Sequence, residues 1–131
     1  MPLSLGFCDL LYMLNLFSSP ALLKAGQRYA VDALHGAADA HLLANYAQQH
    51  LSQDKRRFPL LVIICAQALD AQRLVEEMPY FAPNLRIHLL PDWETLPYDS
   101  LSPHQDLISA RLATLQEMRS GQSDVIVMAA S

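Results

Sequence analysis

A chain of 131 residues is long enough for one domain, and its composition of 52% hydrophobic and 17% charged residues excludes wholesale disorder. The formal net charge of −4 disfavours a free-standing nucleic-acid-binding module, which usually presents a basic face. The basic cluster Lys55-Arg56-Arg57 lies between a predicted helix and a predicted strand, where loop charges are usually solvated. The two cysteines, Cys8 and Cys65, lie far apart in sequence, which predicts buried reduced thiols in a cytoplasmic protein.

Residues 1–23 are predicted to form an apolar extension. A secretory signal needs a positively charged beginning and a membrane span needs about 20 apolar residues, and this segment fails both requirements. Its apolar residues recur at helical spacing, which predicts an amphipathic helix that packs on a neighbour, with binding to a membrane surface as the alternative. These residues are Phe7, Leu10, Leu14 and Phe17.

Strands and helices are predicted to alternate after this extension. Residues 28–34 are predicted to form a short strand, and residues 38–51 an amphipathic helix. The continuous apolar run 58–64 is typical of a strand that is buried on both faces of a parallel sheet. The predicted inward face of the helix consists of Leu42, Leu43, Tyr46, Ala47, His50 and Leu51.

A second helix is predicted at residues 67–78, ended by Pro79 and Pro83, and a strand near a sheet edge is predicted at residues 85–90. The inward residues of this helix are predicted to be Leu69, Leu74, Val75 and Met78.

A Pro-rich loop at residues 91–103 leads to the third predicted helix. Ser102, Pro103 and Gln105 match the N-cap, N1 and N3 positions of a capping box, and Gly121 is predicted to end the helix. The inward stripe of this helix is predicted to be Ile108, Leu112, Leu115 and Met118.

The alternation predicts a three-layer α/β fold of the P-loop NTPase type, with an open parallel sheet of about four strands. Residues 124–128 form the last predicted strand, and no covering helix follows them. Because a parallel sheet needs both faces covered, we expect residues 24–131 to be part of a larger domain.

The turn at Gly36 lies where open α/β sheets usually bind phosphate. A Walker A motif beginning there requires Gly, Lys and Ser or Thr at the positions that hold His41, Leu42 and Leu43. Asp39, inside the turn, would also repel a phosphate. The sequence therefore predicts a degenerate P-loop and no cofactor.

The remaining polar residues predict no catalytic group and no metal ligand. Asp92, Glu94 and Asp99 are loop carboxylates, which are usually solvated or serve as caps. His104 lies in the first turn of a helix, where a cation is disfavoured, and this predicts a neutral structural ring. The nearby serines lie too close to His104 in sequence to suggest a catalytic triad.

The loop also contains the chain's single tryptophan. Trp93, Leu96 and Tyr98 are predicted to form a small apolar cluster that pins the loop to the domain. The alternative for Trp93 is an anchor for a binding partner.

The stretch from Asp92 to Leu115 resembles the N-terminal region of the bacterial transcription-repair coupling factor family. Residues 34–41 resemble the degenerate P-loop region of that family, and residues 124–127 resemble the strand that follows. The resemblance covers residues 24–131 and leaves the extension unmatched. The residues that carry the loop motif are Asp92, Trp93, Glu94, Leu96, Pro97, Tyr98, Asp99, Ser102, Pro103, His104 and Gln105.

The resemblance implies that residues 24–131 form part of a domain similar to domain 1a of the excinuclease B subunit. It implies a full-length parent that is a cytoplasmic, ATP- and Mg-dependent DNA translocase, which removes stalled RNA polymerase and recruits the excision-repair A subunit. For this segment it implies a non-catalytic scaffold for repair-factor docking, with no small-molecule substrate and no membrane. The alternatives are a stand-alone α/β nucleotide-binding protein or enzyme that uses the Gly36 turn, and a small interaction protein that uses the N-terminal helix.

Overall fold

The computed structural model describes residues 24–28, 30–31, 33–53, 59–93 and 104–130. The predicted N-terminal helix, the basic cluster and residues 94–103 of the loop lie outside the described residues. Within the described part the alternation of helices and strands confirms the predicted α/β class. The elements in chain order are α1 (Ala38–Gln53), β1 (Leu61–Cys65), α2 (Ala68–Phe81), β2 (Ile87–Leu90), α3 (Gln105–Ser120) and β3 (Val125–Ala129).

The strands form an open parallel sheet in the order β1-β3-β2. Ile63 of β1 and Leu89 of β2 both lie opposite Val127 of β3, so these three residues share one row of the sheet. β3 is the central strand, and its residues 125–127 are buried. β2 lies at an edge of the described sheet, as predicted.

The strand predicted at residues 28–34 is not one of these three. The residues of this segment that the structure describes, 28, 30, 31, 33 and 34, belong to no strand. Val31 is exposed, as are both described alanines, so burial of apolar side chains does not stabilise a strand here.

β1 has one buried and one exposed face, whereas the sequence predicted two buried faces. Ile63 and Cys65 are buried, but Val62 is 46% and Ile64 is 66% exposed. On this second face His88 of β2, which lies in the same row as Val62, contacts Glu117 of α3. α3 therefore covers the second face at β2 and leaves β1 open.

The core lies between the first face of the sheet and α2, with α1 packed on α2. The buried stripe of α1 consists of small side chains that allow a close approach of the two helices. Of the predicted inward face of α1, Ala47 is fully buried and Leu43 packs against the core, whereas the other four residues are only half-buried. The core residues are Ala40, Ala44, Ala47, Ile63, Cys65, Ala71, Leu74, Met78, Ala82, Val125 and Val127.

α2 continues through Pro79, so the prediction that this proline ends the helix was wrong. Proline removes one backbone donor but tolerates a helical φ, and the helix continues for less than a turn to Phe81. The N–H of Ala82 then donates to the carbonyl oxygen of Met78 at 3.0 Å. Met78 is buried as predicted, whereas Leu69 is exposed.

α3 ends at Gly121, as predicted. Gly121 has φ +72°, and its N–H bonds to Met118 O while the Gln122 N–H bonds to Glu117 O at 2.9 Å, which is a Schellman motif. The predicted inward stripe needs correction, because Leu112 and Leu115 are exposed and Thr114 is the buried residue. Thr114 Oγ1 donates to Leu89 O of β2, which offsets the cost of burying a hydroxyl.

The capping box predicted for α3 was also wrong. The N-cap is His104, with extended backbone angles, so Gln105 occupies the first helical position and not the third. Nδ1 of His104 accepts the Asp106 N–H at 3.4 Å and lies 3.3 Å from Oδ2 of the same residue. Ser102 and Pro103 lie outside the described residues.

Candidate functional site

The turn before α1 is tight and leads directly into the helix, although no strand precedes it among the described residues. Gly36 has φ +62°, a left-handed conformation that glycine adopts at low cost. No heavy atom lies within 4 Å of the position of a Cβ on Gly36, so the backbone angle and not crowding favours glycine. The Ala38 N–H bonds to His35 O and the His41 N–H to Ala37 O, which uses two of the first amides of the helix.

The negative charge that a helix N-terminus favours is supplied here by the chain itself. Asp39, in the first turn of α1, accepts the Ala40 N–H at 2.7 Å. Its two carboxylate oxygens also accept bonds from Nη1 and Nη2 of Arg73 at 3.1 and 2.6 Å. The arginine that could attract a phosphate at this turn is therefore paired in bidentate fashion with an internal carboxylate.

Arg73 binds a second carboxylate, because its Nη1 also donates to Glu77 Oε2 at 2.8 Å. The hydrogen bonds from Arg73 lower the pKa of Asp39, and those to Asp39 and Glu77 raise the pKa of Arg73. Two carboxylates around one guanidinium leave a net charge of −1, which opposes the approach of a phosphate.

The side chains at the three Walker A positions are at least half-buried and contact neighbouring residues of the domain. The His41 ring packs edge-on against Phe81, with centroids 4.9 Å apart, and its Nε2 lies 3.2 Å from Nδ2 of Asn45. Leu43 packs against the core, and Leu42 is half-buried. None of the three offers the ammonium or hydroxyl group that the Walker A chemistry uses.

Sequence reasoning missed Arg73, because 34 residues separate it from Asp39. The only local signal was the spacing of Arg73 and Glu77, which places an opposite charge one helical turn away. Nothing in that pattern indicates a partner on another helix.

The carboxyl end of β1, close to this turn, carries a thiol. Cys65 is a free, buried cysteine, and burial raises the pKa of its thiol, with a further contribution from the charge of Asp70. A raised pKa lowers the thiolate fraction and so the reactivity. Cys8 lies outside the described residues.

The first residues of the loop motif are held by an arginine of α3. The guanidinium carbon of Arg111 lies 4.5 Å from the centroid of the Trp93 ring, which is 46% exposed, and Nη1 donates to Pro91 O. Asp92 accepts the Trp93 N–H at 2.8 Å. Trp93 is thus held by a cation–π contact. Leu96 and Tyr98, the partners that the sequence predicted for it, lie outside the described residues.

The amino edge of the sheet carries a second ion pair. Asp124, just before β3, accepts bonds from the N–H, Nε and Nη2 of Arg86, just before β2, at 2.9, 3.0 and 2.7 Å. These bonds lower the pKa of Asp124 and raise that of Arg86. The ion pair joins β2 to β3 where both strands begin.

The described residues contain no group of three or more His, Cys, Asp or Glu side chains placed to hold a metal ion. In the same part of the chain, no helix combines the length and the apolar character needed to cross a membrane.

The Asp39→Asn substitution is expected to lower the free energy of unfolding by about 1 kcal/mol at pH 7, because it removes one half of a partly exposed ion pair. Folding lowers the pKa of Asp39, so its contribution is present above the unfolded value near 3.8 and is lost as the pH falls through the lower folded value. Urea denaturation at several pH values between 7 and 2.5 measures this.

The matched control is Glu76→Gln on α2, whose carboxylate bonds to exposed Gln72. The role of the ion pair would be contradicted if Asp39→Asn lowered the free energy of unfolding no more than Glu76→Gln does. It would also be contradicted if the effect of Asp39→Asn did not become smaller at acidic pH.

No family model matches the chain. Its sequence is 40% identical over 105 residues to the transcription-repair-coupling factor of Escherichia coli strain K12, which covers 80% of this chain and 8% of that protein. It is 34% identical over 108 residues to the factor of Myxococcus xanthus (76% and 8%). It is 31% identical over 91 residues to the factor of Haemophilus influenzae (70% and 7%). The chain thus spans less than a tenth of the length of these relatives.

Proposed function

Because the chain belongs to the transcription-repair-coupling factor family, we propose that it is a non-catalytic segment of such a factor and a scaffold on which excision-repair proteins dock. The whole factor would be a cytoplasmic DNA translocase that uses ATP and Mg, acts on stalled RNA polymerase and recruits the excision-repair A subunit. The matched region is 8% of the relative's length, so the motor would lie in other parts of the factor.

The observation that carries the non-catalytic assignment is the bidentate pair of Asp39 and Arg73. The start of α1 is where a nucleotide phosphate would bind in this layout, and there the helix dipole and the guanidinium both face an internal carboxylate. A phosphate would have to displace Asp39 from Arg73 while Glu77 remained beside it. It would gain neither a lysine nor a magnesium-binding hydroxyl in exchange.

A scaffold role is supported by the way the same ion pair connects the helices. Asp39 lies on α1 and Arg73 on α2, and α2 packs directly on the sheet. The carboxylate at the start of α1 thus holds two helices together, at the place where a P-loop protein would bind a phosphate. The net charge of −4 favours contacts with protein partners over direct contact with DNA.

Isothermal titration of the 131-residue chain with ATP and Mg is expected to show no binding up to about 1 mM, since the phosphate contacts that normally supply the affinity are absent. The control protein is a P-loop ATPase with an intact Walker A motif, titrated in the same buffer. Micromolar affinity for ATP would contradict the proposal and favour a nucleotide-binding function for the Gly36 turn.

Docking is tested separately, by surface plasmon resonance of the immobilised chain with purified excision-repair A subunit. Saturable binding that competes with the full-length coupling factor would support the scaffold role. No binding at micromolar concentrations would contradict docking of the A subunit on this segment. It would not affect the non-catalytic assignment, which the ATP titration tests.

A further inference from the structure

A polar cluster at the amino edge of the sheet takes no part in the proposed function. Nδ1 of His88, on β2, lies 2.7 Å from Oγ of Ser123 and 3.2 Å from Oε2 of Glu117. Ser123 is 3% exposed and precedes β3, and Glu117 lies in the last turns of α3. One ring nitrogen of β2 thus contacts both α3 and the segment that connects α3 to β3.

This arrangement is not a hydrolytic triad. In a triad the serine and the carboxylate bind opposite nitrogens of the imidazole, whereas here both oxygens approach Nδ1. The hydroxyl of Ser123 is also buried, so a substrate could not reach it.

The two oxygens respond differently to a proton on Nδ1. The hydroxyl of Ser123 can donate to an unprotonated nitrogen or accept from a protonated one, so this contact is compatible with both states. The carboxylate of Glu117 can only accept, and it meets a lone pair when Nδ1 is unprotonated. The contact between His88 and Glu117 is therefore favourable only with a proton on Nδ1, and strongest when the ring is cationic.

The charges around His88 come from each element that packs on it. Glu117 is contributed by α3, Asp124 by the segment that leads into β3, and Arg86 by the segment that leads into β2. Arg86 and Asp124 neutralise each other through two side-chain hydrogen bonds. Glu117 is thus the carboxylate in direct contact with the ring, and the charge of His88 also contributes to the lowered pKa of Asp124.

We propose that His88 and Glu117 form a pH-dependent clamp, which fastens the C-terminal end of α3 to β2 most tightly when the ring is charged and weakens when the ring becomes neutral at higher pH. The clamp acts at the Schellman motif, where Glu117 O already accepts the Gln122 N–H. Its weakening would loosen the connection from α3 to the central strand. The two states of the clamp are therefore a charged ring and a neutral one, and they differ in the strength of the contact with Glu117.

A double-mutant cycle on the 131-residue chain tests this proposal, with His88→Gln, Glu117→Gln and the double variant unfolded in urea at pH 5.5 and pH 8. The coupling between the two residues is expected to change the unfolding equilibrium constant by about twofold to fivefold at pH 5.5 and by less than about 1.3-fold at pH 8. The lowered pKa values keep Asp39 and Asp124 ionised throughout this range. A coupling that is equal at both pH values, or that is absent at pH 5.5, would overturn the clamp.

The control is Ser123→Ala, which should destabilise the chain by a similar factor at both pH values because its contact does not require a charged ring. Amide exchange of Gln122 provides a second measurement that needs no cooperative unfolding. After correction for intrinsic rates, its protection should fall about twofold to fivefold between pH 5.5 and 8 in the parent chain, and should stay level in Glu117→Gln. The same fall in both proteins would also overturn the proposal.

Discussion

The Met78→Ala variant is expected to unfold with a free energy about 2–5 kcal/mol below that of the parent chain. Met78 is one of the largest fully buried side chains and packs in the core between α2 and the sheet. Truncation to alanine removes its contacts with that core and leaves a cavity, which helices anchored to a sheet fill only in part. Urea denaturation followed by circular dichroism at pH 7 measures the difference.

The control is Tyr80→Ala, two residues further along the same helix, where the side chain is 86% exposed. We expect that change to stay within about 0.5 kcal/mol of the parent chain. If both variants lost the same stability, the core would not lie where the structure places it.

The second large effect is expected for Asp124→Ala, which should lower the free energy of unfolding by about 1.5–3 kcal/mol at pH 7. The carboxylate of Asp124 accepts three hydrogen bonds from Arg86, one from its backbone N–H and two from its guanidinium. The backbone N–H of Arg86 loses this partner in the variant, and the junction of β2 with β3 loses its ion pair.

The pH dependence of this variant follows from the lowered pKa of Asp124. A carboxyl group whose pKa is lowered on folding stabilises the protein above its unfolded value near 3.8, and this contribution disappears as the pH falls through the folded value. The stability difference between parent and variant should therefore be constant from pH 7 to pH 5 and shrink below about pH 4. Denaturation curves across this range measure it, with the highly exposed Asp106→Ala as control. A difference that stays constant down to pH 2 would rule out this assignment.

The α/β class and the parallel sheet could be predicted from the sequence, because they depend on the alternation of apolar runs with amphipathic segments. The central strand was located within one residue, since three consecutive apolar residues, 125–127, are buried on both faces. The helix faces were harder to predict, because α1 buries alanines and α3 buries Thr114, and hydrophobicity alone ranks leucine above both.

The chemistry of the site was predictable only in part. His41, Leu42 and Leu43 occupy the Walker A positions by simple counting, so the absence of a Walker A lysine and hydroxyl at this turn can be read from the sequence. The pairing of Asp39 with Arg73 is a contact between two helices, and it depends on how they cross. Residues 92 to 115 indicated the family without indicating a reaction, and the similarity to the E. coli factor confirmed that family.

The alanine stripe of α1 has a consequence for how the turn could change over evolutionary time. Ala40, Ala44 and Ala47 are fully buried, and their small side chains allow the close approach of α1 and α2 at which Asp39 contacts Arg73. A bulkier residue at any of these positions is expected to separate the helices and weaken this ion pair, with no change in the sequence of the turn. Substitutions at the buried alanines of α1 could therefore alter the charge at this turn, just as substitutions of Asp39 or Arg73 would.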